Sequence, residues 1–122
     1  MNSQIKRVLL GMLLLVNALV SNAQGFDLAH VSSPDQYSVL LENDQVLVLK
    51  MVLKPGESDK AHRHHDETIY FQKGGQLTIT EENGKSFIAN VPDGHVMWHA
   101  AWAHQVSNTG DTEVIAIIVE HK

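Results

Sequence analysis

The chain has 122 residues, no cysteine, and 14 acidic against 9 basic side chains, a formal charge of −5 with histidine neutral. This is the length of one domain. The acidic balance argues against nucleic acid and anionic membranes as partners, and the lack of cysteine removes disulfides and lipid attachment through an N-terminal cysteine.

Residues 1–23 read as a secretory signal peptide: a short start with Lys6 and Arg7, an apolar stretch from Val8 to Val20, then Ser21-Asn22-Ala23 as a small-residue exit. The apolar stretch is too short for a bilayer, which needs about 20 residues. Cleavage after Ala23 leaves 99 residues with a formal charge of −7. The chain is therefore expected to be exported, periplasmic or secreted, with no membrane attachment after cleavage. So small a domain has a high surface-to-volume ratio, which a homodimer would relieve.

Residues 24–36 are polar and mixed and read as an N-terminal arm, leaving 37–122 as the folded domain. Val39-Leu40-Leu41 leads into the turn cluster Glu42-Asn43-Asp44. Gln45 to Leu53 is a Val- and Leu-rich strand ended by Lys54-Pro55-Gly56. Strands over Lys60 to His65 and Thr68 to Gln72 follow, then Leu77 to Glu81 with the apolar–polar alternation of a half-buried strand. Asn83-Gly84 is a strong hairpin signal, with Ser86 to Ala89 as the return. Pro92-Asp93-Gly94 turns again before His95 to His99, Ala103 to Ser107 and Val114 to Val119. Past the leader no helical periodicity appears, and many short strands between Gly, Asn, Asp and Pro turns predict an all-β sandwich, jelly roll or small barrel.

The chemistry concentrates in His62-Arg63-His64-His65-Asp66-Glu67, with a further histidine at His104. Neutral imidazole is the commonest side-chain ligand for transition metals, and carboxylates often complete such sites. His62 and His64 are two apart, so on a strand both rings project from one face, while His65 points to the other.

The run Gly56-x5-His62-x-His64, followed by Glu67-x6-Gly74, resembles the first motif of the cupin superfamily, and His104-x3-Asn108 is similar to the end of the second. The resemblance covers roughly residues 45 to 120. It implies a cupin-type jelly-roll β-barrel, a double-stranded β-helix, with His62, His64, Glu67 and His104 as ligands of a divalent transition metal. The chain departs from the pattern twice. Only His65-Asp66 separate His64 from Glu67, so on an unbroken strand Thr68, framed by Gly75, takes the carboxylate position, whereas a bulge between His64 and Glu67 turns Glu67 inward. In the second motif His99-Ala100-Ala101 stands where the family has Pro-x-Gly, which leaves His95 and His99 as weaker competitors to His104.

His30 and His121 read as surface or hydrogen-bonded residues, Trp98 and Trp102 as core or rim aromatics, Tyr70 as outward, and Arg63 as solvated. No phosphate-cradling glycine loop or nucleophile elbow occurs, which argues against nucleotide and serine-hydrolase chemistry. Three imidazoles and a carboxylate suit Fe, Mn, Zn, Ni or Cu alike. The expected function is metal-dependent chemistry on a small organic substrate, with dioxygenase-type oxidation ahead of isomerase or lyase chemistry and Glu67 as ligand or general base. The alternative is a non-catalytic cupin that captures a metal or small ligand.

Overall fold

The computed structural model describes residues 25–122; the expected signal peptide lies outside the described residues. Nine strands follow a single helical turn, α1 (Ala29–Ser32): β1 (Tyr37–Glu42), β2 (Val46–Leu53), β3 (His62–His64), β4 (Asp66–Lys73), β5 (Gly75–Glu81), β6 (Ser86–Val91), β7 (Val96–His99), β8 (Trp102–Asn108) and β9 (Val114–His121). They form a five-stranded sheet in the order β1-β2-β9-β4-β7 and a four-stranded sheet in the order β3-β8-β5-β6, with every strand pair antiparallel. This is the jelly-roll barrel the motifs imply.

Alternation builds the core. In β2, Leu47, Leu49, Met51 and Leu53 are buried between half-buried neighbours, and β9 repeats the pattern with Val114, Ala116 and Ile118. Ile69 and Phe71 of β4 extend this layer within the same sheet, and Leu77 of β5 and Val106 of β8 face it from the other. Turn chemistry sets the register. The Asn43 side chain accepts from the backbone N–H of Gln45 and Val46, which closes the β1–β2 hairpin. Gly84, at φ +84°, makes the β5–β6 turn expected from Asn83-Gly84. At Gly74 the chain crosses between sheets so close to β6 that an added Cβ would lie 2.0 Å from the Val91 carbonyl oxygen.

The arm is docked. Ala29 is fully buried, and the Asp27 carbonyl accepts from the Arg63 backbone N–H at 2.9 Å along the edge of β3. The bulge expected between His64 and Glu67 is instead a full break. β3 ends at His64, His65 belongs to no strand, and β4 starts at Asp66 in the other sheet. The change of sheet turns Glu67 into the barrel with Ile69 and Phe71, while Thr68 lies outward and meets His121 at 3.2 Å. Thr68 is thereby removed as the inward residue.

Candidate metal centre

Strand pairing assembles the site. His62 of β3 lies directly opposite His104 of β8, and His64 opposite Trp102. Directly opposite residues of an antiparallel pair share a face, so the three imidazoles and the indole project into the barrel together. His62, His64 and His104 are all buried, and one ligand nitrogen from each lies within 4.8 Å of the others. Ring centroids are 4.6 Å apart for His62 and His64, 4.8 Å for His62 and His104, and 5.1 Å for His64 and His104.

Hydrogen bonds to the far side of two rings assign their tautomers. His62 Nδ1 donates to the Lys60 carbonyl at 2.8 Å, and His64 Nδ1 donates to Glu120 Oε2 at 2.8 Å. With Nδ1 carrying the hydrogen in each, the two Nε2 atoms face one another 2.9 Å apart with lone pairs inward. Two adjacent ligands about 2.1 Å from one six-coordinate ion are about 3.0 Å apart. A positive centre relieves this lone-pair repulsion, either as a proton on His64 or as a metal ion.

The remaining polar atoms also fit a cation. Both ring nitrogens of His104 and Oε2 of Glu67 are buried without any hydrogen-bond partner. Such atoms are costly in a dry interior, and a divalent ion satisfies imidazole and carboxylate together. Glu67 stands beside the trio rather than within it, its Oε2 3.5 Å from Nδ1 of His64. Trp102 Nε1 is likewise buried without a hydrogen-bond partner, although its N–H still acts to lower the Glu67 pKa.

Burial governs the electrostatics. It holds His62 down at about 4 and His104 at about 2, with the nearby His64 adding to both, so these two rings are neutral at physiological pH. Burial acts downward on His64 as well, but its hydrogen bond to Glu120 and the charges of Glu67, Glu120 and Asp59 outweigh it and raise its pKa. Glu67 is pushed up to about 7, mainly by burial, with Glu120 adding to the shift and His64 opposing it.

Two buried carboxylates that sequence reasoning missed support the histidines. Glu120 is fully buried, and besides His64 it accepts from the backbone N–H of His65 at 3.0 Å and from His65 Nδ1 at 2.9 Å. Its signal was available: Glu120 continues the inward parity of Val114, Ala116 and Ile118, past the point where the apolar run stops. Asp59 accepts from the Tyr37 hydroxyl at 2.6 Å and the Val106 N–H at 2.7 Å, and the oxygen that accepts from Tyr37 also lies 3.5 Å from His62 Nδ1. It sits in a loop, where no periodicity marks it.

His65 is turned away from the trio and pairs with Glu120, as its alternation implied. His99 is not among the converging ligands. It stacks on Trp102 with centroids 3.7 Å apart and lies opposite Glu67 across the β4–β7 pair. His95 is exposed and outside the site. Next to the trio is a cavity of about 60 Å³ lined by His64, Glu67, Trp102 and His104 and otherwise by apolar side chains such as Phe71 and Met97. A larger open groove of about 820 Å³ around Gln76 and Asp111 shares no residue with it and holds no imidazole.

No family model matches the chain, and no curated protein matches it. Solved structures do. The chain is similar to a cupin domain from Bordetella pertussis Tohama I at 26% identity and a TM-score of 0.65, over 70% of this chain and 91% of that one. It is also similar to an RmlC-like cupin family protein with a double-stranded β-helix fold from Methanocaldococcus jannaschii, at 17% identity and a TM-score of 0.57, over 70% and 77% of the two chains. A third, an uncharacterized conserved protein with a double-stranded β-helix domain from Klebsiella pneumoniae, gives 20% identity and 0.54, over 72% and 79%.

Proposed function

We propose, from a fold shared with the cupin superfamily, that this chain is an exported metal-binding cupin acting on a small organic substrate. The observation that carries the reading is the convergence of His62, His64 and His104, two of them fixed as Nδ1–H tautomers with Nε2 aimed inward. Glu67 completes the ligand set when its unpaired Oε2 swings to the ion, and its high pKa also suits it to hold a proton at neutral pH. A bound Fe(II) would supply oxygen chemistry, which we favour, whereas zinc, manganese or nickel would supply Lewis acidity for isomerase or lyase chemistry. The chain's own part is to exclude bulk water, hold the His62 and His104 imidazoles neutral, and select by size. No lysine or arginine lines the cavity, so an anionic substrate group would have to be held by the metal itself.

Elemental analysis of protein from the exported fraction tests the metal, with His64→Ala as control; equal metal content in both would sink the reading. Anaerobic reconstitution with Fe(II), then O2 uptake over a panel of diols and thiols, tests the reaction. One observation favours a second reading, non-catalytic capture of a metal or very small ligand. A cavity of about 60 Å³ holds roughly two waters at about 30 Å³ each. Tight metal binding with no turnover of any panel compound would select that reading.

A further inference from the structure

Two of the three imidazoles are held from outside the trio, and the third is not. His62 Nδ1 donates to the Lys60 carbonyl and His64 Nδ1 to Glu120, both at 2.8 Å, while neither ring nitrogen of His104 has a partner. A histidine that gives one nitrogen to a metal carries its hydrogen on the other, and almost always donates it to a carboxylate, a carbonyl or a water. His104 is only 7% exposed, so bulk water does not serve it.

The strand registers point to an acceptor. His104 lies opposite His62 of β3 on one side and opposite Glu81 of β5 on the other, so one row runs His62, His104, Glu81 across the four-stranded sheet. Directly opposite residues share a face. Glu81 is thereby set inward, in step with buried Leu77 and with Ile79, which lines the cavity. It ends the apolar parity of β5 with a carboxylate, as Glu120 does on β9. The other two imidazoles both come from β3, with centroids 4.8 and 5.1 Å from that of His104, and Glu81 flanks the ring from the opposite strand. The remaining neighbours accept nothing from His104. Trp102, 4.1 Å away, has only a donor, and His99 stacks on Trp102 with its Nδ1 already committed to the Ala100 carbonyl at 2.6 Å.

Glu81 also has room to turn. It is half-buried at the last position of β5 and lines an outer pocket of about 260 Å³ together with Glu82, Asn83, Trp102 and Ala103. Among the described residues its carboxylate enters no ion pair. We propose that Glu81 is a positioning residue for the metal site, its carboxylate turning inward to accept the ring hydrogen of His104 when His104 binds the ion. The inference rests on the metal-binding reading above. Each ligand histidine then has an oxygen behind it: the Lys60 carbonyl for His62, Glu120 for His64 and Glu81 for His104.

Two measurements test this: zinc affinity by chelator competition, and the imidazole N–H signals of the zinc-loaded, 15N-labelled protein. Glu81→Ala should weaken zinc binding about 10–100-fold, the usual loss when such an orienting group goes. Glu81→Gln keeps an acceptor oxygen and should stay within a few-fold of the parent. Glu82→Ala, exposed in the following turn, removes the same charge and should change nothing. The His104 ring N–H, identified by its proximity to Trp102, should be protected from exchange in the parent, Glu81→Gln and Glu82→Ala, and lost to exchange in Glu81→Ala. Thermal melts of the metal-free variants check that each folds. Glu81→Ala binding zinc as tightly as the parent, or keeping the protected N–H, would overturn the proposal and hand the role to Glu67 or a water. Glu81→Gln falling as far as Glu81→Ala, or Glu82→Ala matching it, would overturn it too, by assigning the effect to charge alone. A parent that binds no zinc would remove the metal-binding reading along with this one.

Discussion

Removing the Glu120 carboxylate should damage metal binding more than its distance from the ion suggests. Its two oxygens accept three hydrogen bonds, from His64 Nδ1 at 2.8 Å, His65 N at 3.0 Å and His65 Nδ1 at 2.9 Å, and the residue is wholly buried. Glu120→Ala leaves the His64 Nδ1–H without an acceptor in a dry interior, at about 1–3 kcal/mol per orphaned group. Breaking a buried charged pair costs about 3–5 kcal/mol in total, which in a domain of this size lowers Tm by roughly 12 °C or more. The metal site suffers separately. Without the carboxylate the His64 ring is free to rotate and to move its hydrogen to Nε2, and loss of such an orienting group typically weakens metal affinity about 10–100-fold. Glu120→Gln separates the two effects. Its amide oxygen still accepts from His64, but its NH2 meets the His65 donors, so stability should fall while metal affinity stays within a few-fold of the parent. Competition against a chelator of known affinity, with thermal melts of metal-free protein, reads both. If Glu120→Ala binds metal as tightly as the parent, the carboxylate does not orient His64 and the reasoning fails.

Three further outcomes follow from the same geometry. His104→Leu should abolish metal binding yet stabilise the metal-free protein by about 1–3 kcal/mol, because it removes two buried nitrogens that have no partner; a lower metal-free Tm than the parent's would contradict this. Metal affinity should rise from pH 6 to pH 8. His62 and His104 are already neutral there, so the protons expelled on binding come from His64, whose pKa is raised, and Glu67 at about 7. Calorimetry in buffers of differing ionisation enthalpy should count between one and two protons released at pH 6, and none released would refute the assignment. Gly74→Ala should destabilise by ~3 kcal/mol or leave the protein insoluble, since its Cβ would sit 2.0 Å from a backbone oxygen of β6; a parent-like urea midpoint would show that β6 moves aside easily.

Much of this was legible in the chain because it depends on parity. The Val- and Leu-rich run from Gln45 to Leu53 and the apolar run from Val114 placed two central strands, Asn83-Gly84 placed a hairpin, and the i, i+2 spacing of His62 and His64 put both rings on one face. Parity fails where a strand ends. The step from His64 to Glu67 looked like a bulge on one strand because sequence cannot show that the chain leaves one sheet and enters the other at His65. Parity also could not single out His104, which the motif resemblance named ahead of His95 and His99. That was settled by the β3–β8 register, a pairing between segments some forty residues apart.

The misses share a cause. Asp59 and Glu120 stood outside the histidine motifs, and an acidic residue near a chain end or in a loop is by default a solvated one. Burial alone reverses that reading, and burial belongs to the tertiary structure. Yet these two carboxylates explain why the site works as a unit. A buried cluster of imidazoles would shed its ordered tautomers if nothing outside the cluster held the Nδ1 hydrogens. The fold answers this unequally: Glu120 holds His64, the Lys60 carbonyl with Asp59 alongside holds His62, and nothing holds His104. His104 is therefore the ligand whose geometry depends most on the ion itself. Adding metal should narrow the Trp102 environment around it, the two rings being 4.1 Å apart. A change in Trp102 fluorescence on metal addition, retained in Trp98→Phe and lost in His104→Leu, would be the optical sign of that closure, and a Trp102 signal blind to metal in both would tell against it.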